Sequence, residues 1–287
     1  MNDLILQCDV CPHRCKLKPN TTGRCRARKH IIDDTGNKII PVNYGMITSL
    51  ALDPIEKKPL KHFYPGSYIL SAGSFGCNLN CPFCQNHEIS ASNGADLTPA
   101  NNYLSVEELI NLAIKSKAQG NIGIAFTYNE PLIGYEYVID VAKSARTNGL
   151  KTVLVTAGCV NEPIADRVLP YIDALNIDLK SYNKNIYSDT LGGDLDTVKA
   201  FISKAANTCH VELTTLIVPG MNDSAKEMSE ICRFTTSLPG GKNIPLHITR
   251  FFPRYRMTDK KPTDISLILS LTELAGKYMN YVYPGNI

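Results

Sequence analysis

Three cysteines stand close together directly after a short apolar run: Cys77, Cys81 and Cys84, in a C-x3-C-x2-C pattern. Thiolates at such short spacing are typical ligands of iron–sulfur clusters. A [4Fe-4S] cluster normally takes four ligands, so three local cysteines leave one iron open to a small molecule. An open coordination position indicates a catalytic rather than a structural metal site.

Two other interpretations of these three cysteines are buried structural thiols and part of a zinc site. Free cysteine is a common core residue, so a lone cysteine would suit the first of these. The flanking Gly76, Asn78, Asn80 and Pro82 do not fit a packed strand or helix face. The spacing therefore favours the cluster, with zinc as the main alternative.

A second set of cysteines lies near the N-terminus: Cys8, Cys11, Cys15 and Cys25, in a C-x2-C-x3-C-x9-C pattern. The segment between them is rich in proline, asparagine and glycine, so it is expected to fold only if a metal holds it together. Zinc and an auxiliary [4Fe-4S] cluster both fit, and the spacing does not choose between them. Reduced, unligated thiols are the third alternative.

The composition predicts one large α/β core with a small appendage. The chain has 287 residues, of which 44% are hydrophobic and 20% charged, as in ordinary globular proteins. A formal charge of +3 gives no indication of a nucleic-acid partner. We find no signal peptide and no run long enough to cross a membrane, so a cytoplasmic protein is expected. In that reducing compartment the ten cysteines are predicted to be metal ligands and core thiols rather than disulfides.

From residue 69 onward, β-branched apolar runs alternate with helical periodicity, which predicts βαβ units and a parallel sheet. The predicted strands are 69–73, 122–127, 151–156, 173–178, 210–218 and 244–250. The predicted helices are 105–119, 133–147, 161–169, 194–207, 224–237 and 264–279. Residues 1–68 are assigned to a Cys-rich segment and connector, and residues 69–287 to the α/β domain. The connector carries weak strand signals at 38–42 and 46–50, and the prolines of 53–66 predict a fixed loop lying on the domain that follows.

Polar residues cluster where the predicted strands end, and the carboxyl ends of parallel strands meet at one edge of the sheet. Asp178 and Lys180 are two apart on one strand and share a face, and a buried strand would not carry both without partners. A structural ion pair is one interpretation of them, and contacts to a bound ligand are the other. His247 and Thr249 point the same way, so His247 is either a core histidine or a cofactor contact.

The cysteine motif, with an aromatic residue before its last cysteine, resembles the radical S-adenosylmethionine (radical SAM) superfamily. Together with 178–180 and 218–220 it is similar to the pyruvate formate-lyase activating enzyme branch. The nearest resemblance within that branch is to the radical SAM protein of the AmmeMemoRadiSam system. The segments that carry this resemblance are 11–13, 53–60, 62–66, 84–86 and 127–131.

The resemblance implies an open partial (β/α)6 TIM-like barrel with a Cys-rich N-terminal extension. It also implies that S-adenosylmethionine chelates the fourth iron of a [4Fe-4S] cluster on Cys77, Cys81 and Cys84. Family members commonly carry a Gly-Gly-Glu-Pro segment that contacts the methionine amino group; here Glu130 and Pro131 match it, while Tyr128 and Asn129 depart from it. The S-adenosylmethionine contacts expected on this basis are Asn129, Glu130, Thr156, Asp178, Lys180 and His247.

The activity implied is reductive cleavage of S-adenosylmethionine to a 5′-deoxyadenosyl radical that abstracts hydrogen from a substrate, with flavodoxin or ferredoxin as electron donor. In this branch the hydrogen comes from a glycine of a partner enzyme. Radical modification of a small molecule or of another protein is an alternative. A non-catalytic iron–sulfur electron-transfer protein is another, but it leaves the polar strand ends unexplained. Many relatives continue into a cysteine-bearing tail, so functions that need such a tail are not expected.

Overall fold

The computed structural model describes residues 5–287. The N-terminal segment forms two small antiparallel pairs: β1 (Leu6–Gln7) with β2 (Lys16–Leu17), and β3 (Arg28–Asp33) with β4 (Gly36–Pro41). Glycine at position 36 has φ of 117°, which suits the tight turn between β3 and β4. These pairs lie outside the main sheet.

The main sheet has eight strands, in the order β12-β11-β10-β9-β8-β7-β6-β5. All neighbours are parallel except β5, which pairs antiparallel with β6 at one edge. The strands are β5 (Ser49–Pro54), β6 (Tyr68–Gly73), β7 (Asn121–Phe126), β8 (Lys151–Thr156), β9 (Ala174–Asp178), β10 (His210–Ile217), β11 (Leu246–Arg250) and β12 (Val282–Gly285).

Helices fill the connections between the parallel strands, as right-handed crossovers require. The α-helices are α1 (His87–Ser90), α2 (Pro99–Asn102), α3 (Val106–Lys115), α4 (Tyr135–Thr147), α5 (Glu162–Val168), α6 (Leu195–Ala206), α7 (Ala225–Thr236) and α8 (Ile265–Gly276). Side chains of Ser105, Asp194, Ser224 and Asp264 cap four of them. Short 3-10 turns occupy Ile55–Lys57, Ser116–Gln119, Pro131–Gly134, Leu169–Tyr171 and Gly241–Asn243, and a π-turn occupies Ile186–Leu191.

The six strands and six helices expected from the sequence are all present, which confirms the predicted α/β barrel class. The sheet is wider than expected because β5 and β12 extend it on both sides. Strand β5 precedes residue 68, so the sheet crosses the position at which the two parts of the chain were expected to divide. The connector signal at 38–42 falls on β4, and the signal at 46–50 falls just before and on the start of β5.

Residues 53–66, which we call the strap, begin with the last two residues of β5 and lie against the barrel. Its apolar residues Ile55, Leu60 and Phe63 are buried and pack in one cluster with Ala125 and Val153 of the sheet. At about 25 cal/mol for each Å² of apolar surface removed from water, three such side chains fix the strap firmly. The fixed loop expected from the prolines is therefore present.

Within residues 5–287, every helix is too short or too polar to traverse a lipid bilayer.

Candidate functional site

A cavity of about 580 Å³ opens at the C-terminal ends of the parallel strands, where barrels of this kind place their functional groups. Its volume lies in the usual range for small-molecule sites. All nine residues that the sequence predicts for the catalytic site line it: Cys77, Cys81, Cys84, Asn129, Glu130, Thr156, Asp178, Lys180 and His247. The four N-terminal cysteines are outside this lining.

The loop after β6 carries the three cysteines, and its backbone is fixed on both sides. The Gly76 amide donates to the carbonyl of Ile89 at 3.0 Å, and the Asn80 amide donates to the carbonyl of Leu191 at 2.8 Å. All three thiols are free. Burial raises the pKa of Cys81 to about 11, while the nearby charge of Lys180 acts in the opposite direction. Metal binding would displace the thiol protons.

Asn129 holds the cysteine loop from the neighbouring strand end. Its side-chain oxygen accepts from the Ser74 amide at 3.1 Å, and its amide nitrogen donates to the carbonyls of Phe75 and Gly76 at 3.2 and 3.1 Å. The side chain that departs from the family pattern at this position thus connects β7 to the cysteine loop. It borders the cavity while its polar atoms are already paired with backbone.

Glu130 is 2% exposed and sits at the centre of a local hydrogen-bond network. Its carboxylate accepts from the Thr156 hydroxyl at 2.7 Å, from the Ala157 amide at 2.9 Å and from the Leu132 amide at 3.0 Å. Burial raises its pKa, and these three hydrogen bonds act against that rise. A carboxylate has about four acceptor positions, so one remains for a cation in the cavity.

Asp178 and Lys180 form an ion pair at the cavity wall, with 2.7 Å between Lys180 Nζ and Asp178 Oδ2. Burial works against the lysine charge, but Asp178 and Cys81 outweigh it and raise the pKa of Lys180 above its usual range. The ion pair considered from the sequence is therefore present. Since both side chains also line the cavity, the pair offers one positive and one negative group to a bound zwitterion.

His247 also has a partner that the sequence analysis missed. Its Nε2 lies 2.7 Å from Glu212 Oε2, and Glu212 is completely buried on β10. Burial opposes the charge of Glu212, but hydrogen bonds from His210, His247 and the backbone amides of Lys61 and His62 lower its pKa to about 2. A glutamate between Val211 and Leu213, in the middle of a predicted apolar strand, was the signal that could have revealed it.

A second buried ion pair lies within the strap, next to Tyr128 of the cavity wall. Lys58 is 3% exposed, and its Nζ lies 2.9 Å from Asp53 Oδ2. The Tyr128 hydroxyl donates to the same oxygen at 2.7 Å. Tyr128 has φ of 75°, an uncommon backbone conformation for a residue with a side chain. Tyr128, which departs from the family pattern, therefore connects the end of β7 to the strap.

The N-terminal cysteines lie beside the cysteine loop and outside the cavity lining. The Asn78 side chain, fully buried, lies next to the Cys11 thiol, and its Nδ2 donates to the carbonyl of Cys159 at 2.7 Å. His13 Nε2 is 2.9 Å from the Asn78 carbonyl oxygen. Burial raises the pKa of Cys11 to about 11, with the neighbouring thiols of Cys25 and Cys8 adding to the rise.

The first cysteine set lines a cavity, whereas the four N-terminal cysteines lie outside that lining. Across the described part of the chain, no three His, Cys, Asp or Glu side chains surround a point that a single metal ion could fill. Cys77, Cys81 and Cys84 line one end of a cavity that has room for a group larger than one ion. Three soft ligands beside that space suit an iron–sulfur cluster.

Comparison with known sequences supports the same chemistry. The model of the radical SAM superfamily matches residues 73–234. An uncharacterized protein of Methanocaldococcus jannaschii is 37% identical over 292 residues, covering 100% of this chain and 83% of that protein. Pyruvate formate-lyase 1-activating enzyme of Escherichia coli K12 is 24% identical over 60% of this chain and 70% of its own length. The 4-hydroxyphenylacetate decarboxylase activating enzyme of Clostridioides difficile CD196 is 26% identical over 45% of this chain, which spans 43% of that enzyme.

Two solved structures share the fold. A domain of pyruvate-formate lyase-activating enzyme from Bacteroides vulgatus aligns with a TM-score of 0.51 at 18% identity, over 57% of this chain and 99% of that one. Streptococcus suis SuiB bound to S-adenosylmethionine aligns with a TM-score of 0.57 at 14% identity, over 74% of this chain and 48% of that one. The superfamily model covers more than half of the residues and the Methanocaldococcus protein aligns along the whole chain. The chain therefore belongs to the radical SAM superfamily.

Proposed function

We propose that this protein is a glycyl-radical activating enzyme, which abstracts hydrogen from a glycine of a partner protein. The observation that carries the proposal is the meeting of Cys77, Cys81 and Cys84 with the strand-end polar residues in one cavity. Two relatives at 24% and 26% identity are themselves activating enzymes, which supports the choice of substrate class.

The three thiols would hold a [4Fe-4S] cluster and leave one iron open to S-adenosylmethionine. When bound, cluster and S-adenosylmethionine together supply one-electron reductive cleavage and a 5′-deoxyadenosyl radical. The protein's own residues bind and orient the cofactor. The remaining acceptor position of Glu130 suits the methionine ammonium, and the Asp178–Lys180 pair presents opposite charges to the zwitterionic amino acid end.

The cavity walls would also exclude water from the reacting groups. Pro59 and Lys61 of the strap line the cavity, and so do Pro284 to Asn286 at the end of β12. Asn129 fixes the cysteine loop through three hydrogen bonds to its backbone. Such positioning matters because a fixed geometry would set which substrate hydrogen lies within reach of the reacting groups.

The test is anaerobic incubation of the reconstituted protein with S-adenosylmethionine, a reductant and candidate glycine-bearing partners. A glycyl radical in the partner, seen by electron paramagnetic resonance together with stoichiometric 5′-deoxyadenosine, is the expected result. Cleavage of S-adenosylmethionine without transfer to any polypeptide would reject the activating role while keeping the radical chemistry.

Radical modification of a small molecule is the second candidate, and one contact favours it. His62 Nε2 lies 2.7 Å from the Tyr283 hydroxyl, so the strap touches β12 across the gap between the two sheet edges. This contact narrows the side through which a polypeptide would enter the cavity. If a small molecule is the substrate, deuterium from it will appear in 5′-deoxyadenosine, whereas a deuterated partner glycine will deliver none.

A further inference from the structure

We propose that Cys8, Cys11, Cys15 and Cys25 bind a second [4Fe-4S] cluster, which passes an electron from a protein donor to the catalytic site. The role in electron supply rests on the proposed function, but the existence of the site does not.

The N-terminal fold brings these four residues together. Pairing of β1 with β2 places Cys8 beside Cys15, and the Cys8 amide donates to the Cys15 carbonyl at 2.9 Å. Cys15 Sγ lies close to Gly23, where an added Cβ would come within 3.5 Å of it. A tight turn follows Gly23 and contains Cys25. The Arg26 amide closes this turn by donating to the Gly23 carbonyl at 2.9 Å.

The thiols are withdrawn from solvent, although they lie in a loop-rich segment. Cys8, Cys11 and Cys25 are each less than a tenth exposed, and Cys15 is half-buried. None of the four forms a disulfide in the described structure. Since no three of the described His, Cys, Asp or Glu side chains surround a point that a single metal ion could fill, these soft sulfur donors suit an iron–sulfur cluster better than a lone zinc ion.

This cysteine set lies directly against the catalytic loop. A Cβ at Gly76 would approach the Cys25 carbonyl oxygen to 2.4 Å, so only glycine allows that contact. On the other side of Cys77, the buried Asn78 packs beside Cys11, and its Oδ1 has no hydrogen-bond partner in the structure. The two residues that flank the first catalytic cysteine therefore both touch the second set.

Other contacts already hold the N-terminal segment in place. Arg28 Nη1 lies 2.6 and 2.8 Å from the two carboxylate oxygens of Glu136, and Val10 and Leu17 are buried in the main core. These contacts hold the folded segment against the barrel, and the prediction that it folds only around a metal stays a prediction. A cluster beside the catalytic loop would add an electron route, which a redox-inert zinc ion would not.

The electron balance is simple. A donor of the flavodoxin or ferredoxin class loses one electron, the second cluster gains it, and the same electron then leaves for the catalytic site. The donor is oxidised by one electron, the catalytic site is reduced by one, and the second cluster returns to its starting state. No bond is made or broken in this transfer.

The first test is metal analysis of full-length C77A/C81A/C84A after anaerobic reconstitution with iron and sulfide. Because the catalytic ligands are gone, about four irons and four sulfides per chain, with an electron paramagnetic resonance signal on reduction, would come from the second cluster. One zinc without iron, or no metal, would overturn the proposal. This result does not depend on whether the wild-type protein cleaves S-adenosylmethionine, which tests the proposed function separately.

The matched variant C8S/C11S/C15S/C25S should keep about four irons where the wild type holds about eight. Cys209→Ala, outside both sets, should leave the wild-type content unchanged. With reduced flavodoxin as donor, the quadruple variant should lose 5′-deoxyadenosine formation, although dithionite should still support it. Unchanged flavodoxin-driven turnover would overturn the electron-transfer role. The quadruple variant should have the circular dichroism spectrum of the wild type, because Arg28 and Glu136 still pair. Such a spectrum would show that the variant is folded.

Discussion

At the scale of single residues, the proposed radical chemistry depends on the three cysteine thiols of the loop after β6. They line one end of the cavity, and the backbone hydrogen bonds of Gly76 and Asn80 fix the loop that carries them. Each thiol contributes one of three local ligands, so no spare ligand exists within the loop. Loss of any one thiol should therefore leave the cluster with only two protein ligands.

Replacing Cys81 with alanine should abolish 5′-deoxyadenosine formation, because a cluster with two protein ligands is not retained at the site. The measurement is chromatographic detection of 5′-deoxyadenosine after anaerobic reconstitution. Cys209→Ala serves as control, since Cys209 lies at the start of β10 away from the cavity lining. Retained cleavage by the Cys81→Ala protein would contradict the assignment of the three ligands.

Replacing Lys180 with alanine should weaken S-adenosylmethionine binding by roughly 10- to 150-fold, since a lost charge-assisted contact costs about 1.5–3 kcal/mol. The absorption spectrum of the cluster should be unchanged. Lys184→Ala is the matched control: Lys184 also pairs with an aspartate, Asp196, but is exposed and outside the cavity. Equal affinities of the two variants, measured by equilibrium dialysis, would make the Asp178–Lys180 pair purely structural.

At the scale of elements, the strap is tied to the barrel by the buried carboxylate of Glu212. The backbone amides of Lys61 and His62 donate to it at 3.0 and 2.7 Å, and His210 and His247 approach it from β10 and β11 at 3.0 and 2.7 Å. One side chain thus joins three elements. Its charge is stabilised by these four hydrogen bonds rather than by solvent.

Replacing Glu212 with glutamine should lower the free energy of unfolding at pH 7 by about 3 kcal/mol, the value that corresponds to a carboxyl pKa lowered from 4.5 to about 2. Because the folded pKa is the lower one, this stabilisation is complete above about pH 4.5 and is lost as pH falls towards 2. The difference between wild type and variant should therefore shrink over that range, as urea denaturation at several pH values will measure. A difference independent of pH would contradict the role of the Glu212 charge.

Elements with strong periodicity could be predicted from the sequence, and those that depend on tertiary contacts could not. The apolar runs and capping residues of the six βα units are local signals, so their strands and helices were found. β12 ends in Tyr283, Pro284 and Gly285 and forms only because β11 offers it a partner. The residues of the candidate site also divide into those with a local signal and those that depend on tertiary contacts. Lys180 and Glu130 stood at predicted strand ends, whereas the contact of Asp53 with Tyr128 joins residues 75 positions apart.

At the scale of the whole molecule, the two edges of the sheet approach one another across the strap. His62 meets Tyr283 through a hydrogen bond and Tyr281 through rings whose centres are 4.4 Å apart. Lys61 Nζ lies 4.4 Å from the centre of the Tyr283 ring. The two edge strands, β5 and β12, are therefore not paired by backbone hydrogen bonds. Side chains of the strap bridge the gap between them.

Replacing His62 with alanine should remove one hydrogen bond of about 0.5–1.5 kcal/mol and speed hydrogen exchange in β12 by roughly 2- to 12-fold. Mass spectrometry of peptides covering 282–285 will measure it. The amides of β7, in the middle of the sheet, provide the internal control in the same sample. If β12 exchanges at the wild-type rate, the bridge does not hold the edge strand.

The position of β12 has a practical consequence for handling this protein. Pro284, Gly285 and Asn286 line the same cavity as the three cysteines, and Ile287, which follows them, is exposed. Any residues joined after Ile287 therefore begin next to a residue of the cavity wall. A polyhistidine tag placed there brings imidazoles, which are common metal ligands, close to the cavity in which the proposed cluster would be assembled. Preparations that carry such a tag and preparations that lack it are expected to take up iron differently.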